Sequence, residues 1–241
     1  MSTPAPAYRL SQVRHRYGSR VVLHIPALDI ARGETLAVVG PSGAGKSTLL
    51  RLLQFLERPS EGRIDYAGRT VEAPVPTAIG RSVTTVFQRP IMLDRSVRDN
   101  VAFGVRLRGR DAVGSIDELL ERLALTQLAG APARSLSGGE IQRVALARAI
   151  ATGADVLLLD EPAANLDPAN VSAVESVIRQ CQQRGMTLVL VTHNTHEARR
   201  LAARTLLLID GEMIEVGATG TVLDTPTDPR TAQFLSGDLV Y

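Results

Sequence analysis

The chain has 241 residues, 44% hydrophobic and 22% charged, which fits one large α/β domain or two small ones. A net charge of +2 with 3% aromatics and no tryptophan argues against a nucleic-acid surface. No apolar run reaches bilayer length, MSTPAPAYRL lacks the apolar core of a secretory signal, and a single Cys181 excludes an internal disulfide, so a cytoplasmic chain is expected.

Residues 1–7 read as a loose tail around Pro4 and Pro6. From Tyr8 to Ile30 the polar and apolar residues alternate, predicting antiparallel strands and a hairpin. Tyr17 falls within this hairpin and by itself reads as a cross-strand surface tyrosine. TLAVVG then predicts a buried strand, followed by Gly40, Pro41, Ser42, Gly43, Ala44, Gly45, Lys46, Ser47 and Thr48. These match G-x-x-x-x-G-K-[ST], the loop whose backbone N–H groups converge on a phosphate chain. Gly43 and Gly45 keep side chains out of the way, and the helix that follows aims its positive end at the same anion. Lys46 is expected to reach the β- and γ-phosphates, and the Ser47 hydroxyl to take a place on Mg²⁺. Leu49, Leu52, Leu53 and Leu56 mark one face of that helix.

Beyond it, Ile64 and Tyr66 mark a strand that turns at Gly68. VTTVFQRPIM predicts a buried strand ending at Gln88, closed by Arg89 and Pro90, with Ile91, Met92 and Leu93 exposed after it. Apolar spacing over 95–130 predicts helices. In SLSGGEIQRVALARAI, Ser137 and Glu140 form an S-x-x-E capping box. Gly138 and Gly139 in a first helical turn each cost about 1 kcal/mol against alanine, so close approach by a backbone or a phosphate is expected there. Val156 to Leu159 predict a strand buried on both faces, ending in Asp160 and Glu161. Two such carboxylates need a partner, and Mg²⁺ beside Ser47 supplies one for Asp160. Glu161 is then placed to act as general base on the attacking water. Asp167 and Pro168 turn the chain into a helix, and TLVLVTHN gives another buried strand ending in His193. Cys181 reads as a packed helical thiol. Two strands, RTLLLID and EMIEVG, meet at Gly211 in a tight turn, and the tail from Thr221 is short helix and coil. No repeat or long linker divides the chain, so one domain over 8–241 is expected, with a helical part near 89–152.

As a set, in this order and spacing, these motifs resemble the nucleotide-binding subunit of an ATP-binding cassette (ABC) transporter. The resemblance implies an α/β P-loop NTPase cassette: a mostly parallel core sheet with flanking helices, an antiparallel β-subdomain and a helical signature subdomain. It makes Tyr17 the aromatic that stacks on adenine, in which case Tyr17→Phe should do little. Gly40–Thr48 become the Walker A loop and Gln88 the glutamine that touches Mg²⁺ and faces the membrane subunit. Ser137, Gly138 and Gly139 belong to the signature, Asp160 and Glu161 are the Walker B pair, Asp167 lies in the dimer loop and His193 is the switch histidine. Two departures stand out: the signature ends in Glu140 where glutamine is common, and the dimer loop reads ANLD where SALD is usual.

The resemblance further implies a head-to-tail homodimer, in which Ser137–Gly139 of one subunit close on the γ-phosphate held by Lys46 of the other. It implies ATP and Mg²⁺ as ligands, integral membrane permease subunits as partners, and a periplasmic or extracellular anion-binding protein upstream. The chain would then sit on the cytoplasmic face of the membrane. LLRLLQFLERPSEG, VFQRPIMLDRSVRDNVAFG, VTHNTHEARRLA and FLSGDLVY are most similar to the ATPase of a tungstate importer, with phosphate- and molybdate-type importers as alternatives. A soluble ABC ATPase acting on ribosomes or DNA, and a general P-loop kinase or GTPase, are the competing classes.

Overall fold

The computed structural model describes residues 5–108, 115–164 and 166–238. Its frame is one ten-stranded sheet in the order β5-β4-β1-β2-β10-β9-β3-β8-β7-β6. Five strands, β9 (Arg204–Ile209), β3 (Thr35–Val39), β8 (Thr187–Val191), β7 (Val156–Asp160) and β6 (Val83–Val86), run parallel to one another. Such strands are covered on both faces, which is why TLAVV and TLVLV are buried at every position. Four others pair antiparallel: β1 (Tyr8–Tyr17) with β2 (Arg20–Ile30) and β4 (Glu61–Tyr66), and β4 with β5 (Arg69–Thr70). β10 (Glu212–Ala218) forms a hairpin with β9 and joins β2 through the single register pair Glu212↔His24. The antiparallel layer is thus stitched to the parallel core at one narrow seam.

Helices pack on the sheet around three cores. α1 (Lys46–Leu53) packs Leu49, Leu52 and Leu53 against Tyr8, Leu23 and Val38. α3 (Val97–Arg108), α4 (Ile116–Arg122) and α5 (Gly138–Ala151) share a second core with β7 and with α6 (Pro168–Gln183). A third, smaller core lies under α7 (Thr195–Leu201), α8 (Thr219–Asp224) and α9 (Pro229–Ser236). Among the described residues, no helix is long and apolar enough to cross a membrane.

Several local expectations change. α1 stops at Leu53, and Leu56 is 62% exposed instead of lying on its apolar face. Phe55 turns the chain with φ 60 and takes the inward place, its ring 6.0 Å from Tyr8 and 5.8 Å from Tyr66. β6 ends at Val86, two residues before Gln88. Met92 is core, 5% exposed and packed with Val97 and Val101, while Ile91 is 83% exposed and Leu93 is half-buried. A short helix, α2 (Thr77–Ser82), was not signalled, since it buries none of its residues and carries no apolar period. Of the helical stretch expected over 95–130, the described residues give α3 and then α4, which starts from its own cap at Ser115; 109–114 lie outside the described residues, as do 1–4 of the expected tail. Ala5 and Ala7 are tied in, their carbonyls accepting from Arg32 Nε (3.2 Å) and from Ala67 N (2.9 Å).

Candidate active site

The carboxyl ends of four adjacent parallel strands, β3, β8, β7 and β6, carry most of the expected site residues. That edge is where open α/β sheets bind ligands. β3 delivers the glycine-rich loop. At Gly40, φ is +146 and an added Cβ would stand 2.0 Å from Leu208 O; at Gly45, φ is +95 and the clash is 2.7 Å from Val22 O. Neighbouring backbone, and not only an approaching anion, therefore forbids a side chain at these two positions. Gly45 caps α1 with no side-chain acceptor and no acid in the first turn, so that turn's N–H groups stay free for a ligand.

Lys46 is 8% exposed, and its ammonium donates to Gly40 O at 2.7 Å and to Pro41 O at 2.6 Å. Burial pushes its pKa down, opposed by the charges of Glu161 and Asp160. Ser47 Oγ donates to Asp160 Oδ2 across 3.3 Å. Burial raises the Asp160 carboxyl above its usual range, against the Ser47 bond.

Glu161 follows β7 in a left-handed backbone conformation, φ 49, that non-glycine residues seldom adopt. Its N–H donates to Val191 O (2.9 Å), which holds that turn against β8. The side chain is bracketed: Gln88 Nε2 donates to Oε2 at 2.9 Å, and His193 Nδ1 lies 3.2 Å from Oε1. Strain at a residue whose carboxylate is held from two sides fits a functional group better than a solvated strand end. Gln88, Asp160, Glu161 and His193 line one cavity of about 600 Å³ with Ser42 to Thr48. Tyr17, Arg20 and Val22, from the β1–β2 hairpin, close its other side.

Ser137, Gly138, Gly139 and Asp167 do not line this cavity. They form a cluster of their own. Ser137 and Glu140 make the expected capping box, and the Ser137 hydrogen bonds hold the Glu140 carboxyl below its usual range. An added Cβ on Gly138 would meet nothing within 4 Å, whereas on Gly139 it would stand 3.0 Å from Asn170 Nδ2. Asp167 caps α6, accepting from Ala169 N (3.0 Å), Asn170 N (3.1 Å) and Asn170 Nδ2. Asn170 thus joins Asp167 to Gly139. Sequence reasoning missed it, because its only signal is its place three residues after the cap.

The ABC transporter family model matches residues 23–164. The chain belongs to the ABC transporter family. It has the ABC ATPase fold and, as an ABC ATP-binding domain, binds ATP. Its relatives include the phosphate import ATP-binding protein PstB 2 of Natronomonas pharaonis, 41% identical over 95% of this chain and 86% of the relative. The tungstate uptake system ATP-binding protein TupC of Peptoclostridium acidaminophilum is 36% identical over 86% of this chain and 96% of its own. Among solved structures, cbiO1 from Clostridium perfringens, part of the ABC transporter complex cbiONQ, superposes with a TM-score of 0.80 at 27% identity, covering 92% of each chain. Each of these is a component of a transport system.

Proposed function

We propose that this chain is the ATP-hydrolysing subunit of an importer that takes up an oxyanion, tungstate first among them, through separate membrane subunits. The bracketed Glu161 carries the catalytic part of the reading: a carboxylate held by Gln88 and His193 from neighbouring strand ends, beside Lys46 and Ser47. Lys46 and the first-turn N–H groups of α1 would hold the β- and γ-phosphates. Ser47 and Asp160, with Gln88 nearby, suit Mg²⁺, which takes a few oxygen ligands from the protein and fills the rest with phosphate and water. Mg²⁺ would supply charge neutralisation at the phosphates. Glu161 would orient the attacking water and accept its proton, and His193 would keep the Glu161 side chain in position. Tyr17 would give the adenine its π-face.

The second half-site follows from what the cavity lacks. Ser137–Gly139 stand at a helix N-terminus that does not line the Lys46 cavity, with Gly138 uncrowded, so a second copy packed head to tail would bring them to the γ-phosphate. The membrane partner would dock in the groove of about 650 Å³ lined by Phe87, Gln88, Ile91 and Phe103. Ile91 and Phe87 are its exposed apolar residues, and Gln88 ties the groove to Glu161. On this reading the chain would sit on the cytoplasmic face of the membrane, held by the permease and served by an anion-binding protein on the far side.

A phosphate importer is the second reading. It is favoured by the higher identity to PstB 2, against which the tungstate reading rests on TupC and on the motif stretches named above. Reconstitution of the chain with its permease and binding protein separates the two. ATP-driven uptake of labelled tungstate, outcompeted by molybdate more readily than by phosphate, is the expected result; uptake of phosphate alone would overturn the tungstate assignment.

A further inference from the structure

The aromatic edge of the nucleotide cavity is built in a way that its expected role does not require. Stacking needs only the face of a ring, yet the hydroxyl of Tyr17 is engaged twice. It donates to Glu57 Oε2 at 2.7 Å and accepts from Arg51 Nη1 at 3.2 Å, using its donor and one acceptor site. Glu57 also has Arg51 Nη1 3.9 Å from its Oε1, whereas His15 Nε2, 3.0 Å from Oε2, makes no hydrogen bond to it, so His15 contributes through its ring. The His15 ring meets the Tyr17 ring edge to face, with centroids 5.0 Å apart and planes at 88°. Behind it, His15 Nδ1 lies 2.8 Å from Arg58 O. His15 is 7% exposed, while Tyr17 keeps 45% of its surface open.

Arg51 lies on α1, the helix that carries Lys46 and Ser47, and Glu57 follows that helix closely, its N–H donating to Arg51 O. A tyrosine at a strand end, left to itself, would sample rotamers and lose that freedom when a base stacked on it. Here the freedom is removed in advance, and the brace is the phosphate-loop helix itself.

We propose that Glu57, with Arg51 and His15, is a positioning cluster that fixes the Tyr17 ring as the platform for the nucleotide base and locks it to the phosphate loop. This rests on Tyr17 being the base platform. It also changes one expectation: Tyr17→Phe keeps the π-face but frees the ring, so it weakens binding instead of doing little.

The test is titration of the whole chain with ATP and, separately, with inorganic tripolyphosphate, each with Mg²⁺. Tyr17→Ala is expected to weaken ATP by about tenfold or more, the range for a base stacked on an aromatic. Tyr17→Phe and Glu57→Ala are each expected to weaken ATP by about 3- to 10-fold, the order of one immobilised side chain. Their double variant should lose no more than either single one, since both act through one contact. Glu57→Gln, which keeps an acceptor oxygen for the hydroxyl, should restore affinity. Tripolyphosphate binding should not change in any of them. If Tyr17→Ala weakens ATP while Tyr17→Phe and Glu57→Ala leave it intact, the positioning cluster is overturned and the platform stands. If Tyr17→Ala itself is silent, the platform reading fails and the cluster with it. Equal losses of ATP and tripolyphosphate in Glu57→Ala would mark a general effect on α1 and overturn the proposal.

Discussion

Gln88 and Glu161 lie 73 residues apart in sequence, yet the amide of one donates to the carboxylate of the other across 2.9 Å. The pairing is possible because β6 and β7 are neighbours in the sheet, so the segments that leave them emerge side by side. A residue lining the groove proposed for permease docking therefore touches the group proposed to activate water. Gln88→Ala should remove one of two restraints on Glu161. Lower kcat with little change in KM for ATP is expected, and loss of stimulation by the permease should exceed loss of basal turnover. Steady-state ATPase with and without the permease measures both.

Glu161→Gln separates binding from chemistry. The amide keeps the size of the side chain and an oxygen for Gln88, but it cannot take a proton. Turnover should fall by about 10²–10⁴-fold while ATP affinity stays near that of the parent. With hydrolysis blocked, the variant should elute as an ATP-dependent dimer, and adding Ser137→Arg should return it to monomer. A monomeric Glu161→Gln protein that binds ATP would count against the composite site.

Ile91 and Met92 are adjacent but should behave as opposites, being 83% and 5% exposed. Ile91→Asp should uncouple transport while basal ATPase and melting temperature are kept. Met92→Ala should instead cost about 2–5 kcal/mol of stability, measured by denaturant titration, as a buried methionine truncated to a cavity does. Transport at the parent rate in Ile91→Asp would remove this groove from permease docking.

Cys181 is buried on α6, and burial pushes its thiol up to about 11 from an ordinary 9.0. A proton held more tightly in the folded chain stabilises it less as pH rises: above about pH 9 the unfolded chain releases that proton and gains, until the folded thiol also titrates near 11. Stability should therefore decline across that window by up to about 2–3 kcal/mol from this group. Cys181→Ala should show a shallower decline than the parent, although it starts lower from lost packing. In the native chain at neutral pH the thiol should resist alkylation until the protein unfolds.

Contiguous chemistry was legible in the sequence. The loop from Gly40 to Thr48, the capping box of Ser137 and Glu140, and the apolar runs of β3, β7 and β8 depend on near neighbours and on a buried strand's need for apolar residues on both faces. Such local requirements write themselves into short spacings, and the residue types proposed for the site came from them. What the tertiary structure alone decided is adjacency. The order β3-β8-β7-β6 is not the order of the chain, so only the folded sheet brings Ser47 to Asp160, and Gln88 and His193 to Glu161. The same holds for exposure. In PIML, three apolar residues look alike, and only packing against Val97 and Val101 turns Met92 inward and leaves Ile91 out. Tyr17 shows the limit most clearly: its aromatic ring was visible in the sequence, but its brace to Glu57, 40 residues on, exists only because β1 folds back over the end of α1.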